Sequence, residues 1–289
     1  MLAHAGEFRV AKMAQVLEVS RSGYYDWKQR KKSARREEDE EIAEAIRFIH
    51  EKSHGIYGGR KITQELNRRR SNPVNHKRVE RLKQERGIHS KVAKKYNATT
   101  DSRHEQLVSE NLLRRDFRAD RPRQKMVSDV TFVWTREGWL YVAGVMDLCG
   151  QKIVGLAMGE KNDTTLVLEA LRDAREHSRN LRGCIIHSDR GSNYCSNAYQ
   201  NKLQYYGAIS SMSRTGDCWD NAPMESFWGK MKTEWMSGRY CTTRAEAKSK
   251  IAAYVYSFYN SQRLHESNGY LTPEEYYQTR KGLPSQPAL

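Results

Sequence analysis

The chain has 289 residues, enough for about two domains, and its charge is distributed unevenly along its length. Lysine and arginine number 50 against 35 aspartates and glutamates, for a formal net charge of +15. Residues 1–124 hold 30 basic and 18 acidic side chains, and residues 125–289 hold 20 and 17. A basic front half joined to a nearly balanced back half favours nucleic acid as a partner over a merely soluble basic surface.

Other protein classes are excluded by features that the sequence lacks. The first 30 residues contain no apolar segment typical of a signal peptide, and no apolar run approaches the roughly 18 residues that span a bilayer. The five cysteines form no CxxC pair and are odd in number, which argues against a disulfide framework and a cysteine-based zinc site. We therefore expect a cytoplasmic protein with no membrane partner.

Helical patterns separated by short turns fill the front of the chain. Residues 8–18 read as a short amphipathic helix, Ser20 is a suitable N-cap, and a second helix begins at Arg21. We assign residues 1–36 to a helix-turn-helix segment, although the residues alone are equally compatible with a plain helical hairpin.

A second helix-turn-helix domain is predicted over residues 37–95. A charged helix begins near Glu37, a glycine-rich loop ends it, and further helices cover residues 60–70 and 76–85. Basic side chains on the last helix are candidates for DNA contacts, with base and phosphate roles left open: Lys77, Arg78 and Arg81. Residues 96–122 have weak periodicity and many charges, which indicates a linker with one short helix near residues 105–115.

After residue 122 the pattern changes to strands that alternate with helices. Three strands in succession are followed by helix, strand, helix, strand, helix and a last helix. In order, the predicted ranges are 127–134, 139–146, 152–158, 164–175, 183–188, 196–206, 208–212, 220–235 and 243–260. This order predicts an α/β domain with a mixed sheet over residues 123–236, followed by a C-terminal helical extension over residues 237–289.

Three carboxylates of the back half are hard to explain as surface residues. Asp129 lies inside the first strand, where aspartate is rare, and Asp189 ends an apolar strand that leads into a glycine turn. Glu225 lies in the first turns of a helix for which Asp220 is the preferred N-cap and Asn221 the alternative. Each carboxylate alone has a structural interpretation, as a turn, a loop cap or a favourable charge at a helix N-terminus.

The combination and spacing of these residues carry a resemblance to a known family. Asp129 and Asp189 are 60 residues apart, 35 residues lie between Asp189 and Glu225, and Lys232 follows Glu225 by seven. The motifs are Ser128-Asp129-Val130-Thr131, His187-Ser188-Asp189-Arg190-Gly191-Ser192-Asn193-Tyr194 and Asp220-Asn221-Ala222-Pro223-Met224-Glu225-Ser226-Phe227. With them the chain resembles bacterial insertion-sequence transposases of the DDE superfamily, of the second-reading-frame type, whose catalytic core is similar to that of retroviral integrase.

The resemblance extends over almost the whole chain. In the front half it includes residues 19–25 and 57–62, and in the tail it includes residues from Tyr259 to Tyr276. Two departures are Met126, where this group usually has tryptophan, and Asn193, where glutamine is common. Neither departure removes a catalytic group.

The resemblance implies a fold, a reaction and a cofactor. The fold is a ribonuclease H-like mixed five-stranded sheet flanked by helices and preceded by all-α helix-turn-helix modules. The reaction is cleavage at the ends of an insertion element, after which the freed 3′-OH attacks another phosphodiester. Two Mg²⁺ ions, which Mn²⁺ can replace, are implied as cofactors, with Asp129 bridging both, Asp189 binding one and Glu225 the other.

The resemblance also implies partners and DNA contacts. The partners are double-stranded DNA, as element ends and target, and further copies of the chain in a homo-oligomer on DNA, with no small-molecule substrate. The protein is expected in the bacterial cytoplasm, associated with the nucleoid. Lys232 is expected near the scissile phosphate; the other candidates are Arg60 and Lys61 in the front half and Arg263 and His265 in the tail.

Alternatives stay open at this point. A non-catalytic helix-turn-helix DNA-binding regulator explains the basic front half, and a ribonuclease H-like nuclease without strand transfer explains the carboxylates. His187 shares the strand face of Asp189, where it either orients that carboxylate or the DNA, or is a satisfied core histidine.

Overall fold

The computed structural model describes residues 1–29, 32–91, 109–214, 218–236 and 241–281. The helices are α1 Val10–Val16, α2 Arg21–Gln29, α3 Ala34–Lys52, α4 Gly59–Asn67, α5 His76–Glu85, α6 Thr164–Ser178, α7 Ser192–Cys195, α8 Asn197–Tyr205, α9 Ala222–Glu234, α10 Arg244–Ala252 and α11 Pro273–Arg280. The strands are β1 Lys125–Thr135, β2 Gly138–Asp147, β3 Lys152–Gly159, β4 Ile185–Ser188 and β5 Ile209–Met212. In this described part, none of the helices combines the length and apolar character needed to cross a membrane.

The strands form one mixed five-stranded sheet in the order β3-β2-β1-β4-β5. β1, β2 and β3 are antiparallel neighbours, as expected for strands joined by tight turns, and Gly138 supplies the positive φ of 108° at the first turn. β4 pairs in parallel with β1, and β5 pairs in parallel with β4, each after a helical crossover. The α/β architecture with a mixed sheet, predicted from the sequence, is therefore confirmed.

Helices cover both faces of the sheet. Met126 packs in a cluster with residues of α6 and α8, whereas the next residue, Val127, packs with α9 on the opposite face. α6 approaches β3 closely because Gly155 has no side chain: a Cβ there would lie 2.3 Å from the carbonyl oxygen of Ala170. The sheet is thus buried on both sides over its central strands.

The front module, residues 32–91, consists of α3, α4 and α5 around its own apolar contacts. Ile42 and Ile46 of α3, Ile62 of α4 and Val79 of α5 are fully buried. Side-chain caps define where two of these helices begin: Ser33 accepts from Arg36 N, and Asn75 accepts from Lys77 N at 2.8 Å. Ahead of this module, Ser20 Oγ accepts from Gly23 N at 2.8 Å at the start of α2, as expected for an N-cap.

The front module packs against the C-terminal segment through hydrogen bonds and a continuous apolar cluster. The Tyr57 hydroxyl donates to Gln262 O at 2.6 Å and accepts from Leu264 N at 2.9 Å. Apolar side chains of the front module and of the segment around Phe258 belong to one buried cluster. The front module and the sheet domain therefore share a core.

The short helix expected in the linker and the tail after residue 260 need correction. Residues 105–108 of the expected short helix lie outside the described residues, and residues 109–115 are not helical. They run instead along β5, where Leu112 N donates to Ser211 Oγ at 2.9 Å and Leu113 is buried. The helix expected over residues 243–260 is observed as α10 followed by a π-helical continuation, Ala253–Tyr259, so its extent is confirmed. α11 was not expected, although Thr272 and Glu275 form a capping box at its start.

Candidate active site

The pairing of β1 with β4 brings two of the predicted carboxylates together. The last residue pair along these parallel strands joins Val127 to His187. Asp129 and Asp189 each follow that pair by two residues, so both side chains leave the same face of strands that lie about 4.8 Å apart. Asp189 Oδ1 accepts a hydrogen bond from Gly191 N at 2.8 Å, which fixes the carboxylate at the strand end.

Helix α9 brings the third carboxylate to the same face. Asn221 Nδ2 donates to Ser128 O at 3.2 Å, so the start of α9 is attached beside Asp129. On β2, Gly144 pairs with Asp129, and a Cβ at Gly144 would lie 2.9 Å from atoms of Met224 and Trp228. Glu225 follows Met224 by one residue, at the edge of this packed face of α9, and its charge acts on Asp129.

Electrostatics couples the three carboxylates. Burial raises the pKa of Asp129 well above its usual range, the charge of Asp189 raises it further, and the charge of Glu225 adds a smaller effect. The Glu225 side chain is exposed as a whole, but partial burial of its carboxyl group also raises its pKa. The Trp228 indole nitrogen opposes the effect at Asp129 only weakly, since it is buried without a hydrogen-bond partner of ordinary geometry. Ionised Asp129 is therefore under-compensated in the protein alone.

The chemistry of this donor set suits a hard divalent cation. All the donors are carboxylate oxygens, which Mg²⁺ and Mn²⁺ prefer, and a cation would relieve the repulsion that raises the pKa of Asp129. Across the described ranges, no three histidine, cysteine, aspartate or glutamate side chains are already arranged to hold a metal ion. Asp129, Asp189 and Glu225 thus have suitable donors, but their side chains are not arranged here for joint coordination.

His187 is a core histidine. It is fully buried, with Nδ1 2.8 Å from Ser211 Oγ and Nε2 3.2 Å from Ser213 Oγ. Burial lowers its pKa to about 4, so the ring is neutral near pH 7. Of the two interpretations left open by the sequence, the structural one applies: His187 connects β4 to β5 beneath the carboxylates.

Asp220 has a different role from the expected N-cap. Asn221 is the N-cap residue of α9, and its side chain makes no capping bond. The buried Asp220 carboxylate instead accepts from Asn111 Nδ2 at 2.7 Å and Arg115 Nε at 3.2 Å. Burial alone would raise the pKa of Asp220, but hydrogen bonds from Arg214 and Arg115 lower it overall. Asp220 therefore fastens the segment before β1 to the start of α9.

The predicted DNA-contact residues fall into separate regions. Lys232 lies two turns after Glu225, with its ammonium 5.2 Å from the centre of the Phe132 ring. Lys77 is exposed at the start of α5. Arg78 and Arg81 both form ion pairs with Asp39, at 2.6 Å and 2.7 Å, so their charges are partly neutralised within the front module.

The remaining four candidates meet where the front module contacts the C-terminal segment. Arg60 is exposed and lies 4.0 Å from Glu266, and Lys61 Nζ lies 5.5 Å from the centre of the Tyr57 ring. Arg263 and His265 do not extend from a tail helix, and they are only 7% and 4% exposed. The expectation that these two side chains extend from a tail helix therefore needs correction, whereas a DNA contact by them stays a prediction; Arg263 is ion-paired inside the protein with Glu234.

Two features near the site escaped the sequence interpretation. Gly144 allows α9 to approach the sheet. Lys230 lies one turn before Glu234 on α9, where its charge acts on Lys61 and His265. Neither residue has a local sequence pattern that marks it, because each role depends on a contact with a distant segment.

Comparison with known proteins agrees with this geometry. Family models described as an integrase core domain match residues 119–218 and 206–273, and one described as an HTH-like domain matches residues 37–96. The transposase InsF for insertion sequence IS3A from Escherichia coli (strain K12) is 35% identical over 275 residues, which are 94% of this chain and 95% of the relative. This chain belongs to the insertion-sequence transposases with an integrase core.

Further similarities support the assignment. The insertion element IS600 uncharacterized 31 kDa protein from Shigella sonnei is 42% identical over 270 residues, 92% of the transposase and 99% of the relative. A chain in the structure of a simian T-cell lymphotropic virus intasome with PP2A regulatory subunit B56 gamma shares the fold, with a TM-score of 0.50 and 12% identity over 84% of the transposase and 78% of that chain. By its family the transposase is a polynucleotidyl-transferase enzyme, and a regulator without catalysis leaves the integrase core unexplained.

Proposed function

We propose that the transposase cleaves the ends of its insertion element and joins each freed 3′-OH to another phosphodiester, with Asp129, Asp189 and Glu225 as the ligands of two divalent ions. The observation that supports this proposal is the β1–β4 register, which directs Asp129 and Asp189 to one face, together with the charge of Glu225, which acts on Asp129 from α9. Mg²⁺ is the proposed ion, and Mn²⁺ is expected to substitute for it because it accepts the same oxygen donors.

Phosphodiester transfer requires in-line placement of the attacking and leaving oxygens and neutralisation of their charge. When bound, a pair of divalent ions supplies that neutralisation and activates the attacking oxygen. Asp129 is electrostatically coupled to both other carboxylates, so it is the proposed shared ligand, flanked by Asp189 and Glu225. Met224 and Trp228, which flank Glu225 in sequence, are buried against the sheet at Gly144 and exclude water from that side of α9.

The proposed substrate is double-stranded DNA, at element ends and at the target. The basic front half and the HTH-like domain support this choice, together with Lys232, two helical turns after Glu225 on α9, and Lys77, exposed on the front module. Pairing of two element ends needs at least two protomers, so the proposed active form is a homo-oligomer on DNA, held at the nucleoid by its substrate.

A cleavage and joining assay tests the proposal. The full chain is incubated with Mg²⁺ and a labelled duplex that carries the element end. We expect cut and joined products from the wild type and none from Glu225→Gln, with DNA binding retained by the variant. The matched control is Glu169→Gln, which removes an exposed carboxylate of α6 and should leave both products unchanged.

The same assay separates the alternatives. Activity of Glu225→Gln equal to the wild type would contradict the assignment of this ligand. Hydrolysis without joined strands would favour a nuclease, and DNA binding without any metal-dependent cutting would favour a regulator.

A further inference from the structure

Basic side chains from three parts of the transposase meet where the front module rests on the sheet domain. We call the set of Lys61, Lys230, Arg263 and His265 the basic seam. Lys61 belongs to α4, Lys230 to α9, and the other two follow the π-helical segment. About 200 residues of sequence separate the first from the last, so only tertiary packing brings them together.

Hydrogen bonds fix the geometry of the basic seam. The Tyr57 hydroxyl bonds to the backbone of Gln262 and Leu264, the two neighbours of Arg263, and the Lys61 ammonium lies over the Tyr57 ring. The Arg263 guanidinium donates from Nε and Nη2 to Glu234. Because Lys230 precedes Glu234 by one helical turn, both side chains leave the same face of α9, toward Arg263.

Positive charge in the seam exceeds the negative charge available to it. Glu234 is engaged with Arg263, and Glu266, 4.0 Å from Arg60, is 71% exposed. Among the described residues, neither Lys61 nor Lys230 has a carboxylate within ion-pair distance. Burial lowers the pKa of Lys61 to about 8; the charges of Arg263 and Lys230 add to the effect, and those of Glu234 and Glu266 oppose it. Burial and then the charge of Arg263 lower the pKa of Lys230, against the charge of Glu234.

His265 adds an unsatisfied group. Its Nε2 is buried and has no hydrogen-bond partner within the described ranges, although the ring is packed edge-to-face against Tyr259 with 5.0 Å between ring centres. Burial, followed by the charges of Arg263, Lys230 and Lys61, lowers the pKa of His265 to about 2, so the ring stays neutral. A buried polar atom without a partner in a native protein calls for an explanation, and a bound acceptor would supply one.

The N-terminus of α4 is not the anion-binding part of the basic seam. A Cβ at Gly59 would overlap the Glu80 carboxylate, so that end of the helix already faces an acidic side chain. The unmatched groups are the lysine ammoniums and the imidazole, which are hydrogen-bond donors suited to a small oxyanion.

We propose that the basic seam binds one backbone phosphate of the DNA and so holds the duplex against the front module and the sheet domain together. This inference rests on the proposed function, since it names the contact that positions the same DNA. Phosphate contacts set the register and orientation of a protein on DNA. Lys230 follows Glu225 by five residues, about 7.5 Å along the axis of α9, so a phosphate held there lies at a fixed offset from the cleavage site.

The salt dependence of DNA binding tests the seam. For a duplex carrying the element end, the slope of log K against log salt should decrease in magnitude by about 0.9 in Lys61→Ala and in Lys230→Ala, the value for one phosphate contact. The double variant should lose scarcely more than either single variant, because both lysines contact the same phosphate. Arg172→Ala, which removes an exposed charge from α6, is the control and should leave the slope unchanged.

A duplex with a single neutral methylphosphonate identifies the ligand directly. The methylphosphonate is moved along the duplex one position at a time. At one position, the wild type should bind the modified duplex more weakly than the unmodified one, whereas Lys61→Ala should bind both equally. The proposal would be overturned by salt slopes of Lys61→Ala and Lys230→Ala equal to that of the wild type. It would also be overturned if the affinity losses from the methylphosphonate and from Lys61→Ala added at every position. Thermal unfolding of Lys61→Met verifies folding, and a midpoint no lower than that of the wild type is expected because crowded positive charge has been removed.

Failure of the seam and failure of the proposed function are distinguishable. Wild-type protein that binds DNA with the expected slopes but never cuts it contradicts the function alone. Normal cleavage and joining by Lys61→Ala and Lys230→Ala, with unchanged slopes, contradicts the seam alone.

Discussion

At the scale of single residues, Asp129 combines burial with like-charged neighbours. Its pKa is raised in the folded protein, so between the unfolded value of 3.8 and the folded one the native state binds more protons. Stability therefore falls as the pH rises through that window, and each unit of pKa difference corresponds to about 1.4 kcal/mol.

We predict that Asp129→Asn raises the free energy of unfolding at pH 7 without metal, because a neutral amide replaces an under-compensated charge. The gain should shrink toward pH 4, where Asp129 is increasingly protonated in both states. Urea unfolding at pH 7 and pH 4 measures the difference, and added Mg²⁺ should stabilise the wild type more than the variant. An Asp129→Asn protein less stable than the wild type at pH 7 would disprove this electrostatic account.

His187 provides a second prediction, because folding changes the pH dependence of stability in the opposite direction from Asp129. Its folded pKa of about 4 lies below the ordinary 6.5, so the unfolded state binds more protons between these values. Stability should fall by roughly 3 kcal/mol as the pH drops from 7 to 4 through this group alone. His187→Gln should have a shallower pH dependence of the unfolding free energy, and a slope equal to that of the wild type would contradict this account.

At the scale of secondary-structure elements, the distance between α9 and the sheet determines where Glu225 stands. Gly144→Ala places a methyl group 2.9 Å from Met224 and Trp228, so we expect a loss of about 1–3 kcal/mol in stability and a decrease in cleavage rate. Gly229→Ala, within α9, meets nothing within 4 Å and should gain about 1 kcal/mol from helix propensity. Equal unfolding midpoints for the two variants, measured by circular dichroism, would contradict this packing.

Elements with strong local signals were predictable from the sequence. The helix from His76 to Glu85 is confirmed at both ends, because Asn75 caps it and its apolar residues repeat at helical spacing. The segment before β1 was not predictable in the same way, since its conformation depends on Ser211 and on Asp220, about 100 residues further along the chain. Local periodicity contains no information about such contacts.

At the scale of the whole molecule, the front module and the sheet domain share one buried cluster and should unfold together. Tyr57→Phe removes the hydroxyl that bonds to Gln262 and Leu264, which leaves the buried Leu264 N–H unsatisfied and should cost about 1–3 kcal/mol. Calorimetry should show one transition for the wild type, and hydrogen exchange in α3–α5 should increase in the variant. Tyr25→Phe, at a residue 42% exposed, is the control, and two separate wild-type transitions would contradict the shared core.

The sequence predicted the three carboxylates but not how the cationic residues gather. Spacing along the chain and the family resemblance identify Asp129, Asp189 and Glu225, and the β1–β4 register explains why the first two are neighbours. Arg60 and Lys61 meet Arg263 and His265 only because Tyr57 docks α4 on the C-terminal segment. That contact joins residues 205 positions apart, and local sequence patterns do not predict contacts over such a separation.

Anomalous diffraction from crystals of the full transposase grown with Mn²⁺ is the most direct test of the central claim. The account predicts two anomalous peaks, about 3.5–4 Å apart, among the carboxylate oxygens of Asp129, Asp189 and Glu225. Both peaks should be lost or weakened in Asp129→Asn. Mn²⁺ bound elsewhere, with these three carboxylates pointing away from one another, would contradict it.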